Sequence, residues 1–230
     1  MPDATLVIRG GTVVGPEGSA RLDLAVRGAE VVGLAASIDP PRGAAVLDAS
    51  GCLVGPGLVD LHTHLRQPGR EEAETVESGA RAAALGGYTA VVAMPNTEPA
   101  IDSAAVVRHV QQLGSTACCD VRPSGAITVG RAGTQLAPMA EMAALGVRIF
   151  TDDGSGVQDA RLMRRAMEYA TGLDVTIAQH CEDAALASGG HMHEGEWSSR
   201  LGIAGQPAEA EELMVMRDLC LLYTSDAADE

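Results

Sequence analysis

The sequence predicts an α/β protein in which a β-rich N-terminal segment precedes a parallel sheet or barrel. Three observations carry that prediction. Residues 1–55 place apolar residues in short alternating runs separated by glycine turns, the pattern of antiparallel strands. From Leu58 onward, short β-branched runs alternate with longer helical patterns that stop at glycine, the rhythm of repeated βα units. At 230 residues and 46% hydrophobic, the chain has enough apolar surface for a sizeable core.

In chain order, residues 5–9 and 12–14 read as strands joined by Gly10-Gly11, followed by strands over 22–26 and, after Gly28, 31–34. Pro40-Pro41-Arg42-Gly43 interrupts the pattern before an apolar run at 44–47, and the Gly55-Pro56-Gly57 turn closes it. Residues 1–55 are therefore assigned to a small β domain and 56–219 to the βα domain. Strands are expected over 59–61 and 89–94, with a helix over 74–85 stopped by Gly86-Gly87. Ser103 can cap a helix expected to run to Gly114, a broken strand is expected over 121–127, and a helix over 136–145 is expected to end at Gly146. A strand over 147–151, a helix over 159–171, a strand over 175–179 and a helix over 207–219 complete the pattern. Five β units run in one direction.

The formal charge of -15, from 31 acids and 16 bases, repels nucleic acid and anionic membranes. No signal peptide or transmembrane run is evident, so a cytoplasmic protein is expected. Cys52, Cys118, Cys119, Cys181 and Cys220 have neither disulfide-framework nor zinc-ribbon spacing, and thiols in a reducing compartment are expected. All 16 bases are Arg. The absence of Lys excludes a Schiff base, a P-loop lysine and a carbamylated-lysine metal bridge within these residues.

Side chains two apart on a strand face the same way. His62 and His64, in the run Leu58-Val59-Asp60-Leu61-His62-Thr63-His64-Leu65-Arg66, can therefore reach one ion from a strand's C-terminal end. Phe150-Thr151-Asp152-Asp153-Gly154 ends the fourth strand of the βα domain, where an acid can bridge two metals as a hard oxygen ligand. Alone, such a run reads as a turn. Ala178-Gln179-His180 ends the fifth strand. Three ligand-bearing strand ends on one rim read as a metal site, because barrel enzymes carry their reactive groups there. The second HxH, His191-Met192-His193, lies among glycines and acids and reads as a loop. Cys181 reads as a small packed side chain.

Over residues 5–219 the sequence resembles the amidohydrolase superfamily, and within it the bacterial class I dihydroorotases. The resemblance rests on Asp48-Ala49-Ser50-Gly51, on Asp60 through Gly69, on Met94-Pro95-Asn96-Thr97, and on the Phe150–Gly154 and His180–Asp183 blocks. It implies a metal-dependent-hydrolase (β/α)8 TIM barrel, here about five βα units, with a small β-sandwich built partly from the N-terminal residues. It implies two zinc ions: His62 and His64 on the first, His180 on the second, and Asp153 bridging them, with Asp152 the alternative. Arg66 would pair with the substrate carboxylate, and Asn96 would hydrogen-bond the same end. Gln67 stands where the family usually has Glu, at a position that is not a ligand.

The implied reaction is reversible interconversion of dihydroorotate and N-carbamoyl-L-aspartate in pyrimidine biosynthesis. Hydantoinases and allantoinases resemble the fold but bridge their metals with a carbamylated Lys, which this chain lacks. A hydantoinase-like amidase and a non-catalytic scaffold of aspartate carbamoyltransferase are the alternatives. A homo-oligomer or an aspartate carbamoyltransferase complex is the implied assembly. In the family, the general acid/base aspartate and a further zinc-binding histidine follow later strands, so no catalytic acid/base is assigned here.

Residues 220–230, Cys220-Leu221-Leu222-Tyr223-Thr224-Ser225-Asp226-Ala227-Ala228-Asp229-Glu230, read as the in-frame translation of a transposase-type sequencing adapter. They are expected to be a non-native tail on a gene truncated near Leu219, and the chain by itself is expected to be inactive.

Overall fold

The computed structural model describes residues 3–226, with side chains described for 3–223. The chain divides into two compact units, Met1–Gly57 and Leu58–Glu230.

The N-terminal unit contains β1 (Leu6–Arg9), β2 (Thr12–Gly15), β3 (Gly18–Arg21), β4 (Asp23–Arg27), β5 (Glu30–Ala35), β6 (Ala45–Asp48) and β7 (Leu53–Val54). They form two sheets, ordered β5-β4-β1-β6 and β3-β2-β7. The expected antiparallel pattern holds for β1 with β4, β4 with β5 and β2 with β3. It fails for β6 and β7, which pair in parallel with β1 and β2. After β5, Pro40 and Pro41 prevent a tight hairpin, and the chain crosses over to re-enter beside β1 in the same direction. Strand β3 was not expected, because Gly18-Ser19-Ala20-Arg21 is wholly exposed and carries no apolar alternation. Its pairing with β2 creates it. Val7 and Ala25 are completely buried and pack with Ala4 and Ile38. Asp23 is buried with them, accepting hydrogen bonds from the Gly10 and Ile38 backbone N–H groups and from Arg9. These bonds hold its carboxyl below the usual range.

The second unit runs β8 (Leu58–Thr63), α1 (Val76–Leu85), β9 (Tyr88–Ala93), α2 (Ala104–Gly114), β10 (Asp120–Pro123), α3 (Met139–Ala143), β11 (Ile149–Phe150), α4 (Ala160–Thr171), β12 (Thr176–Ile177), β13 (Met192–His193), α5 (Glu196–Leu201), β14 (Gly205–Gln206) and α6 (Glu209–Asp226). β8, β9 and β10 are parallel neighbours, as are β11 and β12. A parallel bridge from Gly125 to Phe150 joins the two groups. The architecture is α/β, and the connecting helices between parallel strands are what such a sheet requires.

Local chemistry sets the helix boundaries. α1 begins after Thr75, whose hydroxyl accepts the Ser78 N–H while the Ser78 hydroxyl accepts the Thr75 N–H, a capping box that leaves Glu74 outside. α3 is much shorter than expected. Leu136 is held by a bridge to Thr128 and Ala137 donates to Ile127, so the chain turns helical only after Pro138, which lacks an N–H. α6 starts at Glu209 and continues through Cys220 to Asp226, and Leu221 packs on the main core. The remainder of the expected tail, 227–230, lies outside the described residues. The second HxH is not wholly loop: Met192–His193 pairs in parallel with Gly205–Gln206, because the backbone of 204–206 supplies the acceptors.

The larger core joins Ile101, Val107, Val110, Ile127, Phe150 and Met163. Met139 and Met142 are fully buried in it. Gly125 permits its closest approach: a Cβ there would stand 2.5 Å from the Phe150 ring. Among the described residues, no helix is long and apolar enough to cross a membrane.

Candidate metal centre

Strand β8 delivers His62 near its C-terminal end, with His64 just beyond it. The Asp60 carboxylate accepts the His62 backbone N–H at 3.0 Å, holding the strand end where regular pairing stops. The two imidazole rings lie edge to face, 5.2 Å between centroids. Both point at Asp153 from the turn after β11: His62 Nε2 is 3.0 Å from Oδ1 and His64 Nε2 is 3.6 Å from Oδ2. One ligand atom from each of the three residues falls within 4.8 Å of the others. The Asp153 side chain is only 8% exposed, whereas that of His62 is 57% exposed. A buried carboxylate thus sits beneath a ligand set that is open on one side.

The two neighbouring aspartates do different work. Asp152 is turned inward: Oδ1 accepts the Ile127 and Thr128 N–H groups at 2.8 and 3.1 Å, and Oδ2 accepts the Thr128 hydroxyl. It ties the turn after β11 to the segment after β10, leaving Asp153 to face the histidines. In the metal-free chain, Asp152→Ala leaves two buried N–H groups without acceptors at about 1–3 kcal/mol each, a loss that urea unfolding reads. Burial pushes the Asp152 carboxyl up, against the Thr128 hydroxyl and the two backbone donors. A raised carboxyl binds its proton more tightly in the folded state, so stability falls as pH climbs from the ordinary carboxylate range to the folded value. Asp152→Asn keeps both backbone bonds and removes that slope, so its stability relative to wild type should rise across the same interval.

Asn96, in the loop after β9, bridges the cluster. Its Nδ2 donates to Asp153 Oδ2 at 2.9 Å, and its Oδ1 stands 3.0 Å from His64 Nδ1. With the amide oriented by the carboxylate, Oδ1 requires a proton on His64 Nδ1, which leaves the Nε2 lone pair facing Asp153. Each end of the Asn96 amide thus has one partner within the protein, which leaves its second N–H and second lone pair for a ligand.

Arg66 is half-buried, holds a left-handed backbone at φ 57°, and makes no side-chain hydrogen bond or ion pair among the described residues. Gln67 accepts the Val76 N–H at 3.0 Å and so anchors the first turn of α1. His180 is half-buried and lines the same cleft of about 100 Å³ as His62, Asp153 and Met94, but its ring stands outside the three-ligand cluster. Burial, then the Asp218 and Glu211 carboxylates, push the Cys181 thiol up, which keeps it protonated and unsuited to act as a nucleophile.

Sequence reasoning missed Thr128, Arg131 and Ser155. Arg131 donates to the Asp153 carbonyl at 2.7 Å and to the Ser155 hydroxyl at 3.0 Å. The Gly130-Arg131 pair was the available signal, a turn glycine followed by a long donor on a loop leaving a strand.

The family model described as dihydro-orotase-like matches residues 51–229. A dihydroorotase of Solibacter usitatus is 48% identical over 225 residues, which is 96% of this chain and 52% of that protein. The Mycobacterium leprae dihydroorotase is 51% identical over 226 residues, 97% of this chain and 52% of its own length. The chain spans about half the length of the curated relatives it matches. An L-hydantoinase (dihydropyrimidinase) structure from Arthrobacter aurescens superposes with a TM-score of 0.79 at 19% identity, covering 96% of this chain and 51% of that one. A D-hydantoinase structure gives 0.76 at 20%, covering 96% and 50%. At these identities the shared feature is the fold alone.

Proposed function

The chain belongs to the dihydroorotase-like family, and on that premise we propose that it carries the metal-binding half of an enzyme interconverting dihydroorotate and N-carbamoyl-L-aspartate. The observation that carries this reading is the convergence of His62, His64 and Asp153 on one point. Two imidazoles and a carboxylate suit zinc among the divalent ions, and among the described residues no arginine sits on the Asp153 carboxylate to compete with one, Arg131 reaching its carbonyl instead. His62 and His64 would hold a first zinc, His180 a second from the same cleft, and Asp153 would bridge them. When bound, zinc supplies Lewis-acid polarisation of the ring amide and activates water near neutral pH.

The chain's own residues do the rest. Asn96 holds His64 in the tautomer that leaves Nε2 available and fixes the rotation of the Asp153 carboxylate. The Arg66 fork is free to pair with the substrate carboxylate, which both dihydroorotate and carbamoyl-aspartate carry, and this orients the cyclic amide. Among the described residues, the three-residue cluster includes no second acid to move a proton to the leaving nitrogen. We therefore assign no general acid/base within it, and the 230-residue chain by itself should bind metal without turning over substrate.

The parallel order of β8 to β10 and of β11 with β12 supports five βα units of a (β/α)8 barrel, and the two N-terminal sheets support the sandwich portion. The thiols of Cys52, Cys118, Cys119 and Cys181 support a reducing, cytoplasmic setting. Metal analysis of the purified chain, followed by assay against dihydroorotate, hydantoin and allantoin, tests the reading. Zinc retained by wild type and lost in His62→Ala supports it. Absence of metal refutes the site, preference for hydantoin in the full-length enzyme refutes the substrate, and turnover by this chain alone refutes its inactivity.

A further inference from the structure

We infer that Arg131 is a positioning residue for the metal centre, locking the turn after β11 so that the Asp153 carboxylate faces His62 and His64. The inference rests on the metal-site reading above. Arg131 closes the short 3₁₀ turn Val129–Arg131, and both Gly130 and Arg131 hold left-handed backbones, at φ 59° and 56°. That region is natural for Gly130 but uncommon for an arginine, and such outliers persist where surrounding structure over-determines them.

The surroundings do so here. Gly130 N–H donates to Asp102 at 2.8 Å, Arg131 N–H to the Thr128 carbonyl at 3.0 Å, and Gly133 N–H to the Thr128 hydroxyl at 2.9 Å. That same Thr128 is the hydroxyl and backbone donor to Asp152. The guanidinium leaves this braced loop and spends Nη2 on the Asp153 carbonyl and the Ser155 hydroxyl, with no carboxylate within ion-pairing distance among the described residues. Its buried Nε has no partner, so the side chain is not held by a saturated network of its own.

Asp153 is thereby gripped from three directions. The Asp152 side chain fixes the residue before it, Arg131 fixes its carbonyl and the residue two beyond, and Asn96 fixes its carboxylate. Losing the Arg131 contacts frees the turn to rotate Asp153 away from the histidines, which moves a ligand without deleting one. Partners outside the ligand set tune metal affinity in this way.

The experiment is Co2+ titration of the full 230-residue chain, read by visible absorption, with far-UV circular dichroism as the fold control. Arg131→Met keeps the apolar stem and removes the donors; binding should weaken by about 10–100-fold, and the Co2+ bands should shift, with the dichroism unchanged. Arg131→Lys restores one donor nitrogen on a shorter side chain without the planar fork and should recover part of both. Ser155→Ala removes one exposed anchor and should weaken binding a few-fold. Unchanged affinity and bands in Arg131→Met overturn the inference while His62→Ala still abolishes binding. If Arg131→Met does not fold, Ser155→Ala decides: weaker binding supports the role, and unchanged binding overturns it. If wild type itself takes up no Co2+, the metal-site reading fails and the inference falls with it.

Discussion

Asp153→Asn should reduce Zn2+ or Co2+ affinity of the chain by more than the roughly 10–100-fold typical of an outer partner, while leaving the unfolding midpoint of the metal-free protein near wild type. The carboxylate is the buried member of the cluster, 3.0 Å from His62 and 3.6 Å from His64, and it supplies the negative charge that a divalent ion needs. An amide in its place keeps the shape and the contact with Asn96 but loses the charge. Asp152→Asn, one residue away, should leave metal affinity within a few-fold of wild type, since its oxygens are committed to Ile127 and Thr128. Competition titration with a chromophoric chelator measures both. Equal losses in the two variants would show that the turn responds as a whole and that no single aspartate is the ligand.

Phe150→Ala should destabilise the second unit by about 3–5 kcal/mol. Phe150 is the only phenylalanine in the chain and is completely buried. It joins Gly125 by a strand bridge and fills the space that the glycine leaves open. Truncating it opens a cavity beside Met142, whose sulfur also approaches Gly125, at the contact between β11 and the end of β10. Urea unfolding followed by circular dichroism should show a lower midpoint with an unchanged slope. The reciprocal overfilling, Gly125→Val, should also destabilise, because even a single Cβ there meets the ring at 2.5 Å. Midpoints that stay near wild type in both variants would mean that this contact does not organise the core. Weakened metal binding in Phe150→Ala is also expected, since the strand it anchors leads directly into the Asp152-Asp153 turn.

The features that were legible in the sequence are local. Strand alternation and glycine stops act over a few residues and leave a direct pattern, whereas capping was read less well: Ser103 precedes α2 without a side-chain cap bond, and Asp159, assigned to the helix, is the cap of α4. Boundaries shifted where a distant partner intervened, as when the bridge between Thr128 and Leu136 displaced the start of α3. Strand β3 had no apolar alternation to reveal it and exists through its register with β2.

The residues by themselves determined the alternation of strands and helices from Leu58 to Ile177, though not β13, α5 and β14 beyond it, the pair of histidines two apart at one strand end, and, through the absence of Lys, a carboxylate as the available bridging ligand. Only the tertiary structure decided which aspartate faces the histidines, that Asn96 joins His64 to Asp153, that Arg131 holds the turn, and that β6 and β7 enter their sheets in parallel. Those outcomes depend on hydrogen bonds between groups far apart in the chain, 57 residues for Asn96 and Asp153 and 24 for Thr128 and Asp152. Periodicity reports which face of an element is buried. Packing brings those faces together and selects the carboxylate that can meet its backbone donors in the interior, leaving its neighbour to face the open site.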